Sequence, residues 1–260
     1  MAKIDYTADE MMTIAAARLL RDRQVCFVGI GLPSAAANLA RLTHAPNIVL
    51  IYESGTIGTR PDVLPLSIGD GILADTADTV VSVPEMFHYW LQSGRIDIGF
   101  LGAAQVDKYG NINTTVIGDY HQPSVRLPGA GGAPEIATSS RDILIIIRHT
   151  PRAFVEKVDF ITSVGLLDAT TDRRALGIPG NGPAAIITDL GILKPDPKTR
   201  ELVLSSLHPE VTIDQVKKAT GWPLGVVADL PMTEPPNADE LRVLRDLNHR
   251  SSQSNQKAVA

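Results

Sequence analysis

Short uninterrupted apolar runs recur along the chain, with amphipathic stretches between them. Over residues 5–21, Met11, Ile14, Ala15 and Leu19 fall near a 3.6-residue period, which predicts a helix. The runs at 24–30 (QVCFVGI) and 47–52 (NIVLIY) are rich in branched and aromatic residues and predict buried strands. Pro33 suits the first turn of a helix that runs to about His44. Further strands are expected at 79–83, 96–101, 143–147, 184–188 and 202–206, and helices at 85–92, 213–220 and 239–250. The strand runs are continuous rather than alternating, so both of their faces are buried. That pattern predicts an α/β fold, an open and mostly parallel sheet covered by helices.

Composition narrows the function classes. Of 260 residues, 44% are hydrophobic and 20% charged, which is a folded rather than a disordered chain. The net charge is -5 and no basic block occurs, so a nucleic-acid partner is not expected. Cys26 is the only cysteine, which excludes intramolecular disulfides and Cys-based zinc sites. The longest aliphatic run, 143–147, is far short of the ~20 residues of a membrane helix, and the N-terminus lacks an apolar signal core. A cytoplasmic protein is expected, with one domain over 1–250 and a polar, frayed tail over 251–260. The stretch 109–132 is rich in Gly, Asn and Pro and reads as a long functional or interfacial loop.

Glu53 is the sharpest chemical feature. A carboxylate placed directly after a strand core lies at the strand's carboxyl end, the edge where open α/β sheets bind ligands. Ser54-Gly55 supplies a tight turn that would face it into a crevice. Alternatively, Glu53 caps the next helix or pairs with an arginine such as Arg60. Gly29 and Gly31 follow the first strand; they make a weak dinucleotide signature and a better close-packed turn with exposed N–H groups. Gly129, Gly131 and Gly132 form a second cluster that permits close backbone approach, or a plain surface turn. Gly102-Ala103-Ala104-Gln105 ends a strand with small residues; its N–H groups face an oxyanion or merely ease packing. The six histidines show no ligand spacing, and no nucleophile elbow or P-loop is present. Cys26, mid-strand among apolar residues, reads as an inert core thiol.

The segments IVLIYESGTIG (48–58), GFLGAAQVDKYGNIN (99–113) and IGDYHQPSVRLPGAGGAPEIA (117–137) resemble the B subunit of the two-subunit family I CoA-transferases. The resemblance is to the branch that holds the glutaconate and 3-oxoadipate enzymes, and it covers roughly residues 5–250. LPLSIGDGILADTADT (64–79) and YWLQSGRID (89–97) are most similar to the 3-oxoadipate enzymes. The resemblance implies the CoA-transferase type of α/β fold, Glu53 as nucleophile, and the N–H groups of Ala103 and Ala104 as oxyanion hole. Gly29, Gly31, Ser54, Gly102, Gln105, Gly129, Gly131 and Gly132 are the expected CoA or substrate contacts. Many members carry Asn in place of Ser54 and Gly in place of Ala103. Relatives lacking the glutamate run decarboxylation or ring hydrolysis, so its presence favours transfer.

The expected reaction moves CoA from succinyl-CoA to 3-oxoadipate through a glutamyl–CoA thioester on Glu53. Glutaconate CoA transfer, or thioester hydrolysis or decarboxylation on the same scaffold, are the alternatives. No metal or prosthetic group is implied, the CoA thioester being a substrate. The expected partner is the separate A subunit of such enzymes, in an A2B2 assembly. Arg126 and His121 are candidate donors to the substrate's second carboxylate.

Overall fold

The computed structural model describes residues 5–259. Its strands, in chain order, are β1 (Val25–Phe27), β2 (Val49–Ile51), β3 (Thr56–Ile57), β4 (Thr79–Val80), β5 (Ile98–Leu101), β6 (Gln105–Val106), β7 (Ile112–Asn113), β8 (Val116–Gly118), β9 (Pro123–Arg126), β10 (Asp142–Ile146), β11 (Pro183–Ile187), β12 (Gly191–Pro195), β13 (Leu202–Leu207) and β14 (Gly225–Val226). The α-helices are α1 (Ala8–Arg18), α2 (Leu32–Leu42), α3 (Gly71–Asp75), α4 (Val83–Glu85), α5 (Ala133–Ser139), α6 (Ile213–Lys218) and α7 (Ala238–Val259).

Ten strands form one sheet in the order β14-β13-β12-β11-β10-β5-β1-β2-β3-β4. The middle five, β11 through β2, are parallel. β3 and β4 run antiparallel on one flank, and β12 and β13 on the other. The expected open, mostly parallel sheet is present, with hairpins added at both flanks. The reason is connection length: the links at 52–55 and 188–190 are too short for a crossover and permit only antiparallel neighbours.

Both faces of the sheet are covered, as the continuous apolar runs require. Cys26, Leu50, Ile98, Phe100, Leu144, Ile146, Ala185 and Ile187 point into one core, packed by α1, α2 and α7. Their neighbours Phe27, Ile51, Leu101, Ile143, Ile145 and Ile186 point into the other, which is covered by α5, α6 and the segment around Met86–Leu91. Each strand therefore alternates between two apolar layers rather than between core and water.

α1 begins at a reciprocal cap: Glu10 N–H donates to the Thr7 hydroxyl (3.2 Å) and Thr7 N–H to the Glu10 carboxylate (2.8 Å). α7 departs from expectation. It runs through Val259 rather than stopping at Arg250. Ser251 is buried; its hydroxyl donates to Leu247 O (2.8 Å) and accepts from Leu64 N–H (2.7 Å). The frayed tail therefore does not begin at residue 251, because a serine that caps a neighbouring loop is part of the packed helix. Likewise, 109–132 is no structureless loop, since it contains β7 and the β8–β9 hairpin. Among the described residues no helix is long and apolar enough to cross a membrane.

Candidate active site

The carboxyl ends of β5, β1 and β2 lie side by side, because these strands are parallel neighbours in that order. Gly102 and Ala103 follow β5, Gly29 to Gly31 follow β1, and Glu53 follows β2. The sheet thus brings three of the sequence-predicted segments to one edge, as expected for an open α/β ligand site.

Glu53 is held by a tight turn. Tyr52 N–H donates to Thr56 O (3.1 Å) and Gly55 N–H to Tyr52 O (3.0 Å), closing the link between β2 and β3. Gly55 has φ +97°, and an added Cβ would sit 2.0 Å from Val81 O, so both conformation and space demand glycine there. Beneath the turn, Tyr52 is buried with its hydroxyl 2.7 Å from that of Ser34 on α2. Burial pushes the Tyr52 phenol up, so it stays a neutral hydrogen-bonding group. The Glu53 carboxylate is half-buried and pairs with no basic side chain among the described residues. Arg60, the alternative partner, is engaged by Asp78 instead (2.6 and 3.1 Å). The Ser54 hydroxyl, next in the turn, is buried without a hydrogen-bond partner among the described residues.

Gly132 meets Glu53 directly. An ideal Cβ on Gly132 would lie 2.9 Å from Glu53 Oε1, 2.7 Å from Phe87 Cζ and 3.0 Å from Phe87 Cε1. Gly132 has φ −81°, open to any residue, so its glycine is required by space and not by conformation. Gly129 and Gly131 are different, with φ +102° and +52° and open space around them. They open the approach to α5, and an added Cβ on either would meet nothing, Glu53 included.

Phe87 was not singled out by the sequence. It lies on a π-helical segment, Met86–Leu91, marked by Gln92 N–H to Phe87 O (2.8 Å) and Arg95 N–H to Trp90 O (3.1 Å). Such widened turns are uncommon and recur at functional sites. The run MFHYWL reads as ordinary helix in one dimension, and nothing in its periodicity marks the extra residue per turn. The ring packs edge-on against Phe27 of β1, centroids 6.0 Å apart at 65°.

Two expected contacts are corrected. The Ala104 N–H donates to Asn113 O (3.1 Å), so it is already used within the β6–β7 ladder and is not presented to an oxyanion. Ala103, partly buried beside the core that contains Phe27 and Leu101, is the member of the pair left at the strand end. Gln105 does not line the site either. Its amide donates to Asp159 Oδ2 (3.0 Å), and its carbonyl accepts from Asn113 Nδ2 (2.6 Å) and Asp159 N–H (3.3 Å). The side chain is buried and engaged by Asn113 and Asp159. Gly29 and Gly31 stand at the edge, Gly31 with φ +83° as the N-cap of α2, and Gly102 is exposed with open space around it.

Arg126 and His121 lie on the exposed β8–β9 hairpin. Arg126 stacks over Tyr120 at 5.2 Å and donates to its carbonyl (3.1 Å), and His121 packs edge-on to the same ring. The buried histidines serve elsewhere. His149 stacks on Phe154 with its ring nitrogens facing the hydroxyls of Thr188 (3.3 Å) and Thr220 (2.9 Å). Burial pushes it down to about 4 and outweighs the opposing charge of Asp189. Cys26 is buried and its thiol pushed up by desolvation, which makes it inert as expected.

Comparison with known proteins places the chain in a family. The model of the family described as Coenzyme A transferase matches residues 9–219. The chain is 60% identical over 247 residues to the B subunit of the 3-oxoadipate CoA-transferase of Pseudomonas knackmussii, covering 95% of each. The crystal structure of glutaconate coenzyme A-transferase from Acidaminococcus fermentans superposes with a TM-score of 0.87 at 36% identity, covering 93% of this chain and 94% of that one. The decarboxylase AibA/AibB gives a TM-score of 0.82 at 25% identity, covering 96% and 98%.

Proposed function

This chain belongs to the coenzyme A transferase family, and from that premise we propose that it is the B subunit of an enzyme that moves CoA from succinyl-CoA to 3-oxoadipate. The substrate pair follows the 60% identical relative over 95% of the chain. The nucleophile is Glu53, and the observation that carries this is a carboxylate at the end of β2, without a basic partner among the described residues, with Oε1 against Gly132.

The Glu53 carboxylate attacks the succinyl thioester carbonyl, giving a mixed anhydride and CoA thiolate. The thiolate then attacks the Glu53 acyl carbon, forming the glutamyl–CoA thioester and releasing succinate. The 3-oxoadipate carboxylate attacks that thioester, and the same steps in reverse return free Glu53 and 3-oxoadipyl-CoA. Backbone N–H groups at the end of β5, Ala103 foremost, are the candidates to stabilise the oxyanions. One thioester is exchanged for another, so the scheme uses no metal or prosthetic group.

The companion A subunit completes the site in this reading, within an A2B2 assembly in the cytoplasm. The edge of the sheet next to Glu53 supports it: Val80 on β4, Val83 and Tyr89 are exposed by 55%, 48% and 66%. The test is the reconstituted complex assayed with succinyl-CoA plus 3-oxoadipate and with acetyl-CoA plus glutaconate. A preference of about tenfold or more in kcat/KM for the second pair, roughly 1.4 kcal/mol, would reassign the substrates.

The likeness to a decarboxylase at a TM-score of 0.82 keeps a second reading open, breakdown of a CoA thioester without an acceptor acid. Turnover that proceeds equally well without acceptor would favour it.

A further inference from the structure

We propose that Phe87 is the water-excluding wall of the Glu53 site and sets the ratio of CoA transfer to hydrolysis. The inference rests on Glu53 carrying the glutamyl–CoA thioester.

The geometry is specific. A Cβ on Gly132 would meet Phe87 Cζ at 2.7 Å, Phe87 Cε1 at 3.0 Å and Glu53 Oε1 at 2.9 Å. The ring edge and the carboxylate therefore both border the small space beside Gly132 that a methyl group would fill. The edge of an aromatic ring carries the positive end of its quadrupole, so an anionic carboxylate beside it is tolerated while a water molecule gains no hydrogen bond. No polar side chain at position 87 could do both.

The placement is built in. Phe87 lies at the start of the π turn that follows α4, where its carbonyl accepts from Gln92 N–H (2.8 Å). The segment is then fixed on two sides, by the Phe27 ring on β1 and by Gln92 Nε2 donating to Glu135 Oε2 on α5 (2.7 Å). The α5 tie matters because Gly132 is the residue that opens that helix.

The chemistry explains why such a wall is needed. Water attack on the glutamyl–CoA thioester forms a C–O bond at the Glu53 acyl carbon and breaks its C–S bond. Glu53 returns as carboxylate, the thiolate takes one of the water protons to leave as CoA thiol, and the other proton goes to solvent. The energy of the donor thioester is then lost. Transfer competes with this only if water is kept from the acyl carbon until the acceptor carboxylate arrives.

The experiment uses the complex of both subunit types, in native form and with Phe87→Leu and Phe87→Ala. CoA release without acceptor, transfer with acceptor, and the CoA-modified Glu53 peptide are measured on the same samples. The wall predicts that the adduct still forms, and that the hydrolysis-to-transfer ratio rises by about tenfold or more in Phe87→Ala and by less in Phe87→Leu. If Phe87→Ala does not assemble, a raised ratio in Phe87→Leu decides. An unchanged ratio in assembled variants overturns the proposal while leaving Glu53 in place. Native turnover with no adduct on Glu53 overturns the nucleophile, and the wall with it.

Discussion

Glu53 Oε1 and Gly132 are in such close approach that a Cβ on Gly132 would stand 2.9 Å from the carboxylate oxygen and 2.7 Å from Phe87 Cζ. The contact joins the end of β2 to the loop that opens α5, two segments almost eighty residues apart in the chain. It also gives the glycine a reason that is steric rather than conformational.

Gly132→Ala follows from that contact. The backbone angle tolerates alanine, so the complex folds with a change in stability of about 1 kcal/mol or less. The methyl group must displace the Glu53 carboxylate or the Phe87 ring. A ~1 Å misplacement of a reacting group can cost about 100-fold, so kcat is expected to fall by ten- to a hundredfold. Gly71→Ala, which has open space around it and lies outside the named site residues, is the control for an added methyl group. Unfolding curves and steady-state kinetics on both variants check the expectation.

Gln105→Ala separates a fold residue from a site residue. It removes one of two partners of buried Asn113 Nδ2, which keeps Val116 O, and one of two donors to Asp159 Oδ2, which keeps Gly118 N–H, so each lost bond costs about 0.5–1.5 kcal/mol. Stability is expected to fall by that order while KM for the acyl-CoA stays within about twofold at a temperature where the variant is folded. A large KM effect with unchanged stability would return Gln105 to the binding site.

Stability is expected to fall on acidification through His149. Its folded value is pushed from 6.5 to about 4 by burial, so the folded state holds the neutral ring while the unfolded chain takes a proton. The contribution is whole above 6.5 and is lost as pH falls through the folded value, amounting to about 2 kcal/mol at about pH 5. Buried His208 shifts in the same direction and adds to the slope. Urea unfolding at about pH 7.5 and about pH 5 measures it. His149→Gln should be less stable at neutral pH and show a shallower slope; an unchanged slope would assign the acid sensitivity to carboxylates such as Glu10, whose partner Arg245 holds it below its ordinary value.

Much of this was legible in one dimension, for physical reasons. The strands of the parallel centre show because both their faces are buried: in the run 143–147, Ile143 and Ile145 enter one core and Leu144 and Ile146 the other. Glu53 shows as a candidate because a carboxylate directly after a strand core lies at the edge where open α/β sheets bind ligands, while position alone leaves a helix cap or an arginine pair equally open. β12 was missed because its exposed Lys194 and its Pro195 break the apolar signal. Gln105 was misplaced because chain adjacency to Gly102 suggested a shared role, whereas hydrogen bonding inside the hairpin turns its side chain away. Phe87 and the need for glycine at 132 arise only when the π segment, α5 and β2 meet, and no local pattern encodes that meeting. The resemblance to the B subunits of the transferases supplied the chemical role, which residue spacing alone left open.

The covalent state of Glu53 tests the central claim most directly. The reconstituted complex is incubated with succinyl-CoA and no acceptor acid, and half is treated with borohydride; both halves are then digested and mapped by mass. The account predicts a peptide containing Glu53 that carries the mass of CoA through a thioester, and after borohydride the same peptide with the Glu53 carboxyl reduced to an alcohol. Glu53→Asp, shorter by one methylene, should retain about one hundredth of the activity, and Glu53→Ala none. An unmodified Glu53 peptide under saturating donor, while native turnover proceeds at its full rate, would contradict the account and leave Glu53 as a general base acting on water.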